Sequence, residues 1–180
     1  MNKRVEITKE LQNLMEQVSQ DDVKSFEREL KKANRVFLAG MGRSGFMMRG
    51  FAMRLMHMGF DVFVVGETTT PAILKHDLLI IGSGSGETSS LVSMAKKAKS
   101  YGANIALITT NKESSIAKEA DAVLLVNAQA KGDAESKSIQ PMGTLFEQGL
   151  LILTDSIVLD FMDEIETNGD EMYKNHANLE

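Results

Sequence analysis

Leu78-Leu79-Ile80-Ile81-Gly82-Ser83-Gly84-Ser85-Gly86-Glu87-Thr88 carries an unbroken apolar run straight into a turn of alternating glycines and serines. The stretch after it, Ser89 to Lys97, places Leu91, Val92, Met94 and Ala95 as a helix would. The succession is strand, tight turn, helix N-terminus. The three glycines let the backbone bend sharply and come close to a ligand. A helix's first turn offers unpaired N–H groups at the positive end of its dipole, a setting that favours an anion. Ser83, Ser85 and Thr88 add hydroxyls, and the turn has no lysine to make it a P-loop. The expectation is a phosphate held by hydroxyls and amides, with Gly84 and Gly86 giving the backbone access. A plain strand-to-helix turn capped by serine is the competing reading.

Other short apolar runs repeat the pattern. Arg35 to Ala39, Asp61 to Val65, Ile105 to Thr109 and Ala122 to Val126 read as strands. Helical segments separate them: Ser44 to His57, Ser89 to about Tyr101, and a short one over Ser114 to Ala120. Two amphipathic helices come first, Val5 to Val18 and one capped by Asp21 or Asp22 that runs to Lys32. Asn127 to Gln140 reads as a polar loop, with Gly132, Asp133, Ser136 and Ser138. Pro141 opens a long helix that Asn168 and Gly169 end, and a tail follows. Apolar strands alternating with helices predict an α/β protein, a five-stranded parallel sheet covered on both faces. We expect a three-layer αβα sandwich with flavodoxin-like order 2-1-3-4-5, read as one domain over 1–180. Helices fill 3–33, the α/β core 35–165 and the tail 168–180.

Gly40-Met41-Gly42-Arg43-Ser44-Gly45 follows the first strand, with Glu67 just after the second. On form this is the G-x-G-x-x-G of a dinucleotide site. It reads equally as a second Gly/Ser loop for phosphate, with Ser44 as ligand and Gly42 and Arg43 as contacts, and Arg43 reads also as the partner of an acid at a subunit interface. In the expected strand order both loops leave the sheet at the point where the order reverses, where ligands of such sheets bind.

Composition narrows the chemistry. The 180 residues contain no cysteine, which excludes disulfides, thiol catalysis and thiolate metal sites. His57, His76 and His176 lack metal-ligand spacing, so no metal is expected. No apolar run is long enough to span a membrane and no leader is evident, so a cytoplasmic location is expected. The net charge of −5 argues against nucleic acid as a partner. Asp160 to Glu180 holds seven acidic residues and one lysine, so the body before it carries +1 and does not repel a phosphorylated metabolite.

Glu147 lies on a helical line with Gly143, Thr144, Leu150 and Leu151. A carboxylate on so apolar a line loses water, and desolvation is the usual way to make a carboxylate a general base. Glu67 is a second candidate for the crevice rim. Glu87, in a helix's first turn, reads more readily as structural. The helix from Phe46 to Met58 is apolar nearly all round, with more faces than one core can bury, so its methionines point to core and to a subunit interface.

The Gly82–Thr88 turn after a buried strand resembles the signature of the sugar isomerase (SIS) domain. Four segments resemble, more narrowly, the 6-phospho-3-hexuloisomerases: Gly40 to Gly45, Phe51 to Phe60, Ser138 to Gln148, and His176-Ala177-Asn178-Leu179-Glu180. The resemblance covers essentially the whole chain. It implies interconversion of D-arabino-hex-3-ulose 6-phosphate and D-fructose 6-phosphate through an enediol, in formaldehyde fixation or detoxification by the ribulose monophosphate route. It also implies a homotetramer whose neighbouring subunits complete each site, with Glu147 moving the carbon-bound proton and the tail's His176 assisting the oxygens. No metal, nucleotide or other cofactor is required. A sugar-phosphate sensor without activity, or another phosphosugar isomerase, is the alternative.

Overall fold

The computed structural model describes residues 2–128 and 138–179, so Gly132, Asp133 and Ser136 of the expected polar loop lie outside the described residues. The chain runs α1 (Lys3–Glu16), α2 (Gln20–Lys32), β1 (Val36–Gly40), α3 (Gly42–His57), β2 (Val62–Val64) and β3 (Leu78–Gly82). It continues through α4 (Ser89–Ser100), β4 (Asn104–Thr109), β5 (Ala122–Leu125), α5 (Thr144–Glu164) and α6 (Gly169–Tyr173). All five strands are parallel, in the order β2-β1-β3-β4-β5 that was expected.

Alternation along the strands divides the core in two. Val36, Leu38, Leu78, Ile80, Ala106 and Ile108 face a layer built from α2, α3 and α5, with α1 against α5. Phe37, Ala39, Leu79, Ile81, Ile105 and Leu107 face Leu91, Ala95 and Ala98 of α4. Each fully buried aliphatic side chain contributes about 1.5–3 kcal/mol, which is why the strands read as continuous apolar runs rather than alternating ones. A glycine eases the packing of α1. A Cβ at Gly149 on α5 would lie 2.6 Å from Leu14 Cδ2, so a larger residue there would make the buried Leu14 side chain shift.

Several local expectations need correction. Ser19 caps α2, accepting from the Asp22 N–H, while Asp21 and Asp22 occupy the first turn, where their charge suits the dipole. The short helix expected over Ser114 to Ala120 is only a 3₁₀ turn, Ala117–Glu119. Pro141 does not start the long helix: Met142 and Gly143 both take left-handed backbone (φ 61° and 74°) and α5 begins after them. At its other end α5 stops at Glu164, and Asn168 caps the further helix α6 instead of closing α5.

The register places the site. Gly40 pairs with Gly82, so both glycine loops leave the sheet side by side at the carboxyl ends of β1 and β3, where the strand order reverses.

Candidate functional site

Three helices start around one cavity of about 220 Å³. Met41, Gly42 and Ser44 line it from the start of α3, the Gly82–Ser85 loop and Thr88 from the start of α4, and Gly143 and Phe146 from the start of α5. The residues that precede these helices are Met41, Thr88 and Gly143, and none caps its helix with a side chain. The other three α-helices are capped by Asn2, Ser19 and Asn168. The division follows place: helices that begin at the cavity are bare, and those that begin elsewhere are capped. Bare N-terminal N–H groups need an acceptor from outside the helix, and the dipole selects a negative one.

The central loop is held from behind. The Gly84 carbonyl accepts from the Thr109 and Thr110 hydroxyls, both at 2.9 Å, and from the Thr110 N–H at 3.0 Å. The Ser83 hydroxyl accepts from the Gly86 N–H, and the Ser85 hydroxyl from the Glu87 N–H, both at 3.2 Å. Neither serine caps α4, so the plain-cap reading of this turn does not hold. Gly86 does not line the cavity. Its φ of +64° and its contact with Ser114, where a Cβ would lie 2.1 Å from Oγ, explain the glycine structurally.

Glu147 is buried, 2% exposed, as its apolar helical line required. Its carboxylate does not line the cavity. Arg43 Nε lies 3.0 Å from Glu147 Oε2, and Arg43 sits between the two cavity-lining residues Gly42 and Ser44. The base candidate therefore lies at the cavity's edge, under a guanidinium that is itself mostly exposed.

Other candidates fall elsewhere. Glu67 pairs with Arg49 on the exposed side of α3 and does not line the cavity. Glu87 does not line the cavity, and hydrogen bonds from the Ser115 side chain and from its N–H (2.7 Å) hold its carboxyl below the ordinary range. His176 is exposed and stacks on His57 and Tyr173, with ring centroids 5.4 and 5.5 Å apart. His57 closes α3, while Gly42 at the cavity opens it. At 1.5 Å per residue the two ends are about 22 Å apart. A single chain thus does not bring His176 to Glu147. His57 is buried, and burial, with the charges of Arg54 and His176, lowers its pKa below the usual histidine value.

Sequence reasoning gave Gly143 and Phe146 no place in the site beyond a family resemblance. The signal was present but partial: Gly143, like Met41 before α3, puts no Ser, Thr, Asp or Asn at the cap of its helix, and in both loops a glycine lies at the helix start. Among the described residues, no group of three or more His, Asp or Glu is placed to hold a metal ion, and no helix is long and apolar enough to cross a membrane.

Comparison with known proteins gives the lineage. The SIS domain family model matches residues 29–152. A Bacillus subtilis protein named 3-hexulose-6-phosphate isomerase is 45% identical over 97% of this chain and 96% of its own. A Mycobacterium gastri protein of the same name is 46% identical over 91% of this chain and 82% of its own. Among solved structures, a Methanococcus jannaschii protein for which a 3-hexulose-6-phosphate isomerase function was inferred superposes with a TM-score of 0.88, at 35% identity, over 100% of both chains. The chain belongs to the SIS domain family.

Proposed function

We propose that this protein is a 3-hexulose-6-phosphate isomerase, converting D-arabino-hex-3-ulose 6-phosphate and D-fructose 6-phosphate into one another. The observation that carries the reading is the convergence of three uncapped helix N-termini on one hydroxyl-lined cavity. A phosphate is a dianion with oxygens enough to serve several bare N–H groups and the Ser44, Ser83, Ser85 and Thr88 hydroxyls at once. Gly42 and Gly84 shape the approach, and Gly86 shapes the turn behind it. The names of its near-full-length relatives support the choice of hexulose.

The chemistry asks for little else. A proton leaves C2 of the hexulose, a C2–C3 enediol forms, and a proton returns to C3 as the carbonyl passes to C2. Glu147 takes and returns the carbon-bound proton, and a second group moves the hydroxyl proton from O2 to O3. Arg43 links the two halves: its guanidinium, now on Glu147, can turn to the phosphate and release the carboxylate to act. We assign no metal to the reaction, and activity should survive dialysis against EDTA.

His176 enters this scheme only from another copy, since its own cavity is about 22 Å away. Phe46 and Met53 on α3 and Leu159 on α5 are 66%, 54% and 60% exposed, an apolar surface that fits burial between subunits of a homotetramer. Mixing Glu147→Gln with His176→Ala subunits tests this, because sites built from two chains regain activity in mixed oligomers. The reaction fits formaldehyde fixation or detoxification in the cytoplasm.

The decisive assay is hydrogen exchange of fructose 6-phosphate in deuterated water. Deuterium at C3 with appearance of a 3-ketose supports the reading. Exchange at C1 instead would make the protein an aldose–ketose isomerase, and binding without exchange would make it a sensor.

A further inference from the structure

We propose that Glu10, on α1, is a positioning residue that holds the α5 half of the site against the cavity. Its kinetic consequence rests on the isomerase reading above; its geometry does not. Glu10 accepts from the Ile139 N–H at 2.8 Å, the Ser138 hydroxyl at 3.0 Å and the Gln140 side-chain amide at 3.2 Å. The Ser138 oxygen in turn accepts from the Gln140 N–H at 3.0 Å, which closes the segment on itself. Gln140 is buried there, 8% exposed. A carboxylate bonded to three donors of one segment fixes that segment more firmly than neutral acceptors would.

The next residues of the chain explain why this segment is fixed. Met142 and Gly143 are consecutive left-handed residues, a conformation a methionine holds only when its surroundings impose it. Downstream, the Thr144 N–H and hydroxyl both donate to the Pro141 carbonyl, at 3.1 and 2.6 Å. Upstream, the anchor is Glu10. Between them Gly143 reaches the cavity wall, and Glu147 lies one helical turn further on.

The anchor is stiff because α1 holds both α5 and the segment that leads into it. Leu14 packs against α5 at Gly149. Glu10 and Leu14 are four residues apart and share one face of α1. One contact sets where α5 lies, and the other sets how the chain enters it. The hydrogen bonds of Glu10 go to 138–140 and not to the phosphate loops after β1 and β3, so its loss should disturb the base more than the anion site.

The test is Glu10→Gln, which keeps the size and removes the charge. Its turnover of fructose 6-phosphate should fall roughly 10- to 100-fold, as for small displacements of a catalytic group. KM should change less than about threefold. Amide hydrogen exchange should quicken at Ile139 and Thr144, whose N–H groups are bonded within this segment, and stay unchanged within α1. Gln140→Met, which removes one donor at similar volume, serves if Glu10→Gln fails to fold, with the same pattern expected at smaller amplitude. Combined, the two changes should lose no more than Glu10→Gln alone. Normal turnover with quickened Ile139 exchange would overturn the proposal, as would a fall in melting temperature with turnover intact, or additive losses in the double variant. A wild-type protein without exchange at C3 would sink the isomerase reading instead. Protection of Ile139 and Thr144, and its loss in Glu10→Gln, would then decide the anchoring by itself.

Discussion

Glu147 and Arg43 carry most of the chemical argument between them. A carboxylate at 2% exposure is tolerable because a guanidinium lies 3.0 Å away, and moving that exposed partner onto the phosphate would leave a buried charge uncompensated, a cost that substrate binding has to offset. Glu147→Gln keeps shape and neutralises the group. We expect exchange at C3 to fall about 10²–10⁴-fold while the anion still binds, measured by NMR and by thermal shift with fructose 6-phosphate. The burial of Glu147 was legible from its apolar helical line. Its partner was not, because the pairing depends on α3 and α5 starting side by side, which no local pattern encodes. Gly86 gives a second test. An alanine there meets left-handed backbone and the fully buried Ser114, whose segment is tied back through the Ile116 N–H to the Gly86 carbonyl. Gly86→Ala should cost about 2–4 kcal/mol in urea unfolding, with phosphate affinity lost alongside.

At the level of helices and loops, the strands and both glycine turns could be read because burial on two faces and tight turns leave strong local marks. The entry to α5 could not, since a left-handed methionine has no propensity signal and is imposed from α1. The tail, too, reads as a plain end from its residues, although α6 docks it: Asn175 donates to the His57 carbonyl at 2.9 Å, and His176 stacks on the His57 ring. This docking has a pH signature. A histidine whose folded pKa is lowered binds fewer protons folded than unfolded, so stability is fully present above the unfolded value of 6.5 and is lost as pH falls through the lowered one. Arg54 and His176 add repulsion to the charged form. Glu27, whose carboxyl is raised first by burial and then by Asp160, works in the opposite sense at lower pH. Urea unfolding between pH 8 and 5 should therefore show stability falling below about 6.5. The slope should flatten in His57→Leu.

Composition raises the expectation of assembly and gives no geometry for it. A helix apolar nearly all round has to meet something, and α3 meets the sheet and α5 while leaving Phe46 and Met53 outside. If these residues are buried between copies, Phe46→Asp together with Leu159→Asp should shift sedimentation from tetramer to smaller species and reduce activity with it. A protein that sediments as a monomer yet turns over normally would remove both the tetramer and the shared site. Which face meets which was beyond reach of the sequence, because only the fold shows that the stripes on α3 and α5 are neighbours.

The bare starts of α3, α4 and α5 have a practical corollary. Helix ends that the fold leaves unserved are a standing invitation to any small oxyanion, so the emptied protein should be a sensor of its own buffer. Millimolar inorganic phosphate or sulfate would raise its melting temperature and mask the sugar phosphate's effect. It would slow turnover competitively too. Activities and melting curves taken in phosphate and in a bulky amine buffer would then look like those of two different proteins, one with its cleft already spoken for.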